Sequence, residues 1–194
     1  MQISDIQRYD SKKMYEAYNR WPEISQENYF FKDLPKIQFK NIDHIVFAGV
    51  GGSGTIGDVI SSILSKNDIH VNVVKGYLLP KTVDSNTLIV TTSVSGNSKE
   101  VLTILRNGKK SKGKFLAFSS GGEMKKYSIK NKIPYYEIPE IHSPRASFPC
   151  YLYSMLNILE DVISIKKRDV KESIDQLKKT KKKISTDNLT DSNP

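Results

Sequence analysis

The sequence predicts an α/β protein: a doubly wound, five-stranded parallel sheet flanked by helices. Three observations predict it. Between residues 43 and 150, short β-rich runs alternate with helical patterns, the signature of β-α-β units. Two of those runs are nearly all apolar, as strands covered on both faces must be. Glycine- and serine-rich turns follow three of the runs, where an open parallel sheet keeps its ligands.

In chain order, residues 1–35 read as helical and peripheral. Met14, Tyr15, Tyr18 and Trp21 fall at helical spacing, and Pro22 ends or restarts a helix. Strands are expected at 44–48 (HIVFA), 70–74 (HVNVV), 87–92 (TLIVTT), 114–118 (KFLAF) and, on a weaker pattern, 135–138 (YYEI). Helices are expected near 54–66, 98–110 and 123–131. Residues 147–164 read as an amphipathic helix with Leu152, Met155, Leu156, Leu159 and Val162 on one stripe. Residues 166–184 read as a Lys-rich helix anchored by Val170, Ile174, Leu177 and Ile184. The last ten residues, STDNLTDSNP, are linker-like. The chain thus divides into a helical extension (1–42), a sheet domain (43–164), and a Lys-rich helix with linker (165–194).

Composition bounds the chemistry. A chain of 194 residues suits one domain with appendages and can bury a core without disulfides or metals. A single cysteine, Cys150, excludes a disulfide framework and any Cys-built zinc site. Three scattered histidines argue against a His-built one. The opening MQISDIQRYD lacks the basic and apolar regions of a signal peptide. No apolar run approaches the roughly 20 residues of a membrane span. The expectation is a soluble cytoplasmic protein that uses neither metal nor cofactor. The net charge is +9, which permits polyanion binding. However, the excess sits in runs such as Lys166, Lys167, Arg168 and Lys178, Lys179, Lys181, Lys182, Lys183. Such runs read as solvated helix faces, and no nucleic-acid motif accompanies them, so nucleic acid is disfavoured as a partner.

The turns carry the chemistry. They are GVGGSG (49–54), TTSVSGNS (91–98) and SSGG (119–122). Glycine lets backbone approach a ligand, hydroxyls and N–H groups donate to anion oxygens, and the next helix adds its positive end. Asn97 with Glu100 fits a capping box that would fix a helix start beside the serines. Two such loops at successive strand ends favour a phosphate cradle over ordinary turns. Gly49, Gly51 and Gly54 also satisfy G-x-G-x-x-G, but the carboxylate expected about 20 residues later is missing. That position reads Val73-Val74-Lys75-Gly76. NAD is therefore disfavoured, and NADP with Lys75 near its extra phosphate is a remote option. No Gly-Lys-Ser/Thr follows the glycines, which argues against an ATPase.

FAGVGGSGTIGD (47–58), TTSVSGNSKEVL (91–102), SSGG (119–122) and PRAS (144–147) together resemble a SIS (sugar isomerase) domain, a flavodoxin-like or Rossmann-like fold. More narrowly they are similar to the first SIS domain of the bifunctional phosphoglucose/phosphomannose isomerases of archaeal type. LLPKTVDSNTLIV (78–90) and IPYYEIP (133–139) fall in the expected places between them. The resemblance implies that Ser53, Ser93, Ser95 and Ser98 hold the phosphate of a phosphosugar, with Gly51 and Gly52 allowing close approach. It implies that Arg145 stabilises the enediolate of an aldose–ketose isomerisation linking glucose 6-phosphate or mannose 6-phosphate to fructose 6-phosphate. It places the general-base Glu, a ring-opening His and a Lys in a second SIS domain, and a homodimer in the full-length form. The ending TDSNP is similar to the crossing into that domain. On this reading the chain alone binds phosphosugars weakly and turns over poorly or not at all. Glu123, Glu137 and Glu140 match no base motif, and His142 reads as a polar loop residue. The alternatives are a non-catalytic SIS module that senses a phosphosugar, or an NADP-binding domain.

Overall fold

Strand residues that alternate between two helical layers make the sheet. In a computed structural model describing residues 2–32, 38–190 and 193, the strands are β1 (His44–Ala48), β2 (His70–Val74), β3 (Thr87–Thr92), β4 (Lys114–Ser119) and β5 (Tyr135–Glu137). All pair in parallel, in the order β2-β1-β3-β4-β5. Every residue of β1 and β3 is buried, as central strands covered on both faces require. The first three strands match the expected bounds. β4 runs one residue further because Ser119 pairs with Glu137, and β5 stops one residue short of Ile138.

The helices are α1 (Ile3–Tyr9), α2 (Met14–Asn19), α3 (Trp21–Tyr29), α4 (Gly52–Leu64), α5 (Lys99–Asn107), α6 (Gly122–Lys130), α7 (Phe148–Ile158) and α8 (Lys167–Ile184). A 3-10 turn, Gly108–Lys110, follows α5. Ile45, Phe47, Leu88, Val90, Leu116 and Phe118 point into one core with residues of α3, α4, α7 and α8. Val46, Ala48 and Ile89 point the other way, onto Ile104 of α5, and Ala117 packs with Val101, Leu102, Leu105 and Met124. The period-2 alternation of the strands thus serves both layers.

Three expectations are corrected. The N-terminal helices are not peripheral throughout, because α3 lies in the main core: Ile24 is 2% exposed and packs with α7 and α8 residues. Pro22 sits in the first turn of α3, where its missing N–H costs nothing, so it starts a helix. Residues 33–35 of the expected helical segment lie outside the described residues. Next, α7 is not an amphipathic helix with one buried stripe running to residue 164. It ends at Ile158, and all its residues but Phe148 and Leu152 are buried, because α3 covers the side away from the sheet. Finally, α8 uses Val170, Ile174 and Leu177 as anchors on this same core, whereas Ile184 is exposed. Lys181 binds Glu23 at 2.9 Å and Lys178 binds Gln26 at 2.7 Å, fastening α8 to α3.

Cys150 lies on α7, fully buried, with its thiol directed at Asn28 Oδ1 at 3.3 Å. Burial pushes that thiol up to about 12. A thiolate is the reactive form, so the native chain is expected not to react with a thiol reagent at pH 8. One thiol per chain should appear on denaturation. Rapid labelling of the folded chain would show that α3 does not cover α7 as described.

Candidate functional site at the switch point

The sheet order reverses between β1 and β3. The chain leaves β1 toward α4 and β2 on one side, and leaves β3 toward α5 and β4 on the other. Such a reversal opens a crevice beyond the carboxyl ends of the two strands. Ala48 and Thr91 are register partners, so the two loops that follow start about 5 Å apart.

The first wall is the loop from β1 into α4. Gly51, at φ +56°, turns the chain into the helix. The helical ladder begins with Gly54 N–H to Val50 carbonyl (3.4 Å) and Thr55 N–H to Gly51 carbonyl (3.0 Å). The N–H groups of Gly52 and Ser53, at the two positions before it, have no intrahelical acceptor, as at any helix start. Gly52 is exposed and Ser53 half-buried.

The second wall is the loop from β3 into α5. Ser93 is 2% exposed and donates its N–H to Phe118 carbonyl at 3.1 Å. Its hydroxyl pairs with that of Ser98 at 2.8 Å and accepts the Ser98 N–H at 3.4 Å. Ser98 is half-buried, and Ser95 is exposed with its hydroxyl accepting the Asn97 N–H at 3.3 Å. Ser95 is thus open to solvent at this strand end, while Ser93 is buried against Ser98.

The expected capping box of Asn97 and Glu100 does not form. Ser98 is the residue before α5 and makes no side-chain cap. Asn97 Oδ1 instead accepts the N–H of Glu123 at 3.1 Å, at the start of α6, while its amide donates to Ser95 carbonyl at 3.1 Å. Glu100 accepts a hydrogen bond from Tyr77 at 3.3 Å. Asn97 thus ties the serine loop to its neighbour instead of capping its own helix. The SSGG turn completes that tie. Ser120 donates both its N–H (2.9 Å) and its hydroxyl (2.7 Å) to Val94 carbonyl, and Met124 N–H reaches Gly96 carbonyl at 2.9 Å. The SSGG turn therefore supports the loop from behind.

The PRAS segment closes the other side. A Cβ on Gly52 would stand 4.0 Å from Pro144 carbonyl oxygen, which brings the Arg145 turn against the α4 wall. Arg145 is exposed, and its side chain has no hydrogen bond or ion pair among the described residues. Ser147 shapes the turn, its hydroxyl accepting Ile141 N–H at 2.7 Å and donating to Ser143 carbonyl at 2.8 Å.

Other candidates are engaged elsewhere. Lys126 binds Glu123 at 2.8 Å, and that hydrogen bond and charge hold the Glu123 carboxyl below the usual range, the wrong direction for a general base at neutral pH. Glu137 is paired with Lys125 at 2.6 Å. Lys75 pairs with Asp58 at 2.6 Å, and its stem crosses Gly54. The cation considered for an extra nucleotide phosphate therefore already has a partner. His142 donates from Nε2 to Lys12 carbonyl at 2.7 Å. From the sequence Trp21 reads only as a helix residue; its indole N–H donates to Ala146 carbonyl at 3.0 Å across 125 residues, a contact no local pattern could signal.

No family model matches the chain. It is 31% identical over 175 residues to a bifunctional phosphoglucose/phosphomannose isomerase of Caldicellulosiruptor bescii, which covers 89% of this chain and 50% of that protein. It is 30% identical over 148 residues to a D-glucosamine-6-phosphate 4-epimerase of Sulfolobus acidocaldarius, 74% of this chain and 46% of that one. Among solved structures, the C-terminal domain of glucosamine-fructose-6-phosphate aminotransferase from Francisella tularensis superposes with a TM-score of 0.59. That match has 17% identity and covers 88% of this chain and 53% of the other. Five parallel strands in this order, flanked by helices, match the fold of the SIS-domain phosphosugar isomerases. Within that class the chain is a sequence relative of the bifunctional phosphoglucose/phosphomannose isomerases. It spans about half the length of the curated relatives it matches.

Proposed function

We propose that this chain is the phosphosugar-binding half of an aldose–ketose isomerase. Its reaction would interconvert glucose 6-phosphate or mannose 6-phosphate with fructose 6-phosphate through an enediolate. The observation that supports this best is the meeting of the α4 start, the serine loop and the Arg145 turn at one crevice. The phosphate dianion sits between the Gly52 and Ser53 N–H groups and the hydroxyls of Ser53, Ser95 and Ser98, with Ser93 holding Ser98 in place. Anchored there, the sugar presents C1 and C2 toward Arg145. A carboxylate from a second domain moves the proton between C2 and C1. Arg145 stabilises the negative charge that develops, a task suited to a fixed planar cation. No step needs a metal or a nucleotide. By analogy the full-length protein is a cytoplasmic homodimer.

A thermal-shift titration tests the reading, since a ligand that binds only the native state raises the melting temperature. Fructose 6-phosphate and 6-phosphogluconate are expected to raise it. Ser95→Ala and Ser98→Ala are each expected to weaken binding about 10- to 100-fold, the worth of a hydrogen bond to a charged group. A shift with NADP alone, or with no phosphosugar, would remove the isomerase reading. The same protein binding phosphosugars with no activity in its full-length form would favour the sensing module.

A further inference from the structure

The Arg145 turn is held by residues near the N-terminus of the chain, and this has a functional consequence that rests on the reading just given. The Arg145 side chain has no hydrogen bond or ion pair among the described residues, so its aim depends on the backbone that carries it. Two contacts fix that backbone, one from α3 and one from the turn between α1 and α2. Trp21, the first residue of α3, donates its indole N–H to Ala146 carbonyl at 3.0 Å, one residue after Arg145. His142 donates to Lys12 carbonyl at 2.7 Å, three residues before it. His142 does so at φ +61°, a left-handed conformation uncommon for a residue with a Cβ. Between the two ties, Pro144 carbonyl faces Gly52.

We propose that Trp21 and His142 are positioning residues that set Arg145 over the sugar end of the site without contributing to phosphate binding. The phosphate cradle is built from the α4 start and the serine loop, and among the described residues neither hydrogen-bonds to Trp21 or His142. The two halves of substrate recognition are therefore separable. The cradle reads the phosphate, and the N-terminal segment sets the reach of the cation that reads charge at C1 and C2. An anionic sugar head is sensitive to that reach, and a neutral one is not.

The test compares two ligands on the full 194-residue chain: 6-phosphogluconate, which carries a carboxylate at the sugar end, and sorbitol 6-phosphate, which does not. The native chain is expected to prefer 6-phosphogluconate, and Arg145→Ala to erase the preference. Trp21→Phe keeps the ring and its edge contact with Tyr18 while removing the N–H. It is expected to reduce 6-phosphogluconate affinity about three- to tenfold, the worth of one hydrogen bond, and to leave sorbitol 6-phosphate unchanged. His142→Gly, which fits the same φ without strain, is expected to do likewise. Trp21 is the sole tryptophan, so the unmutated chain offers a second readout. Its emission should shift with 6-phosphogluconate, and the shift should vanish in Arg145→Ala. If Arg145→Ala erases the preference while Trp21→Phe and His142→Gly retain it, the positioning role falls and the site reading stands. Equal weakening of both ligands by Trp21→Phe and His142→Gly would make these residues merely structural, which also overturns the proposal. No preference in the native chain, or one that survives Arg145→Ala, removes Arg145 from the site and the proposal with it. Failure to bind either ligand overturns the cradle itself.

Discussion

Gly96→Ala is expected to abolish phosphosugar binding and to destabilise the chain by about 2–5 kcal/mol. Gly96 has φ +69°, a region that costs an L-residue about 1–2 kcal/mol. Sterics add to that. A Cβ there would overlap the Gly121 carbonyl oxygen, and it would lie 2.8 Å from the Gly121 carbonyl carbon and 3.1 Å from Ser119 Oγ. Two of these neighbours are backbone, so no side-chain rotation relieves the clash. Overpacking of this kind adds about 1–3 kcal/mol. Relief requires the loop after β3 to part from the turn after β4. That separation breaks the Ser120–Val94, Met124–Gly96 and Asn97–Glu123 bonds together. For a chain of this size the melting temperature should fall by roughly 5–15 °C. Gly76→Ala is the control, because a Cβ there meets nothing within 4 Å. A Gly96→Ala chain that melts and binds phosphosugar like the native one would show that the two loops do not interlock.

That interlock marks how far the sequence could be read. The strands were legible because burial on both faces leaves apolar runs such as HIVFA and TLIVTT, which few other environments favour. The positions of the loops at their ends were legible, because glycine and serine favour the turns that follow strands. Their wiring was not. Asn97 and Glu100 have the spacing of a capping box, and local sequence could not show that the α6 start, 26 residues away, competes for the same amide oxygen. The helical layer failed for a related reason. In α3, WPEISQENY shows few apolar residues, and its buried set includes Pro22 and Ser25. Ser25 is buried because its hydroxyl turns back to Trp21 carbonyl at 2.7 Å. Polar residues satisfied within their own helix leave no hydrophobic stripe to read. The covering of α7 by α3 is a contact between segments about 125 residues apart, which periodicity does not encode.

The second large effect is expected at Ile24, the residue that joins this layer to the core. Ile24→Asp is expected to leave the chain unfolded, or folded only with a melting temperature more than about 10 °C lower. The side chain is 2% exposed among residues of α7 and α8. A carboxylate there must be buried uncompensated or take up a proton, and the apolar contacts are lost either way. The sum is comparable with the roughly 5–15 kcal/mol that holds a domain together. Ile129→Asp, on the exposed side of α6, is the matched control. Unchanged melting of Ile24→Asp would mean that α3 is an appendage after all. The milder Ile24→Ala should cost about 2–5 kcal/mol and separates the two roles of the layer. Asn28, one helical turn further along α3, receives Ser154 at 3.2 Å and Cys150 at 3.3 Å, and Asn157 reaches Phe31 carbonyl at 3.0 Å. These bonds hold the far end of α3 to α7, so loosening at Ile24 is felt first at the near end, where Trp21 meets Ala146. Preference for an anionic sugar head should therefore decline in Ile24→Ala before affinity for the phosphate does, because among the described residues the cradle draws no hydrogen bond from α3.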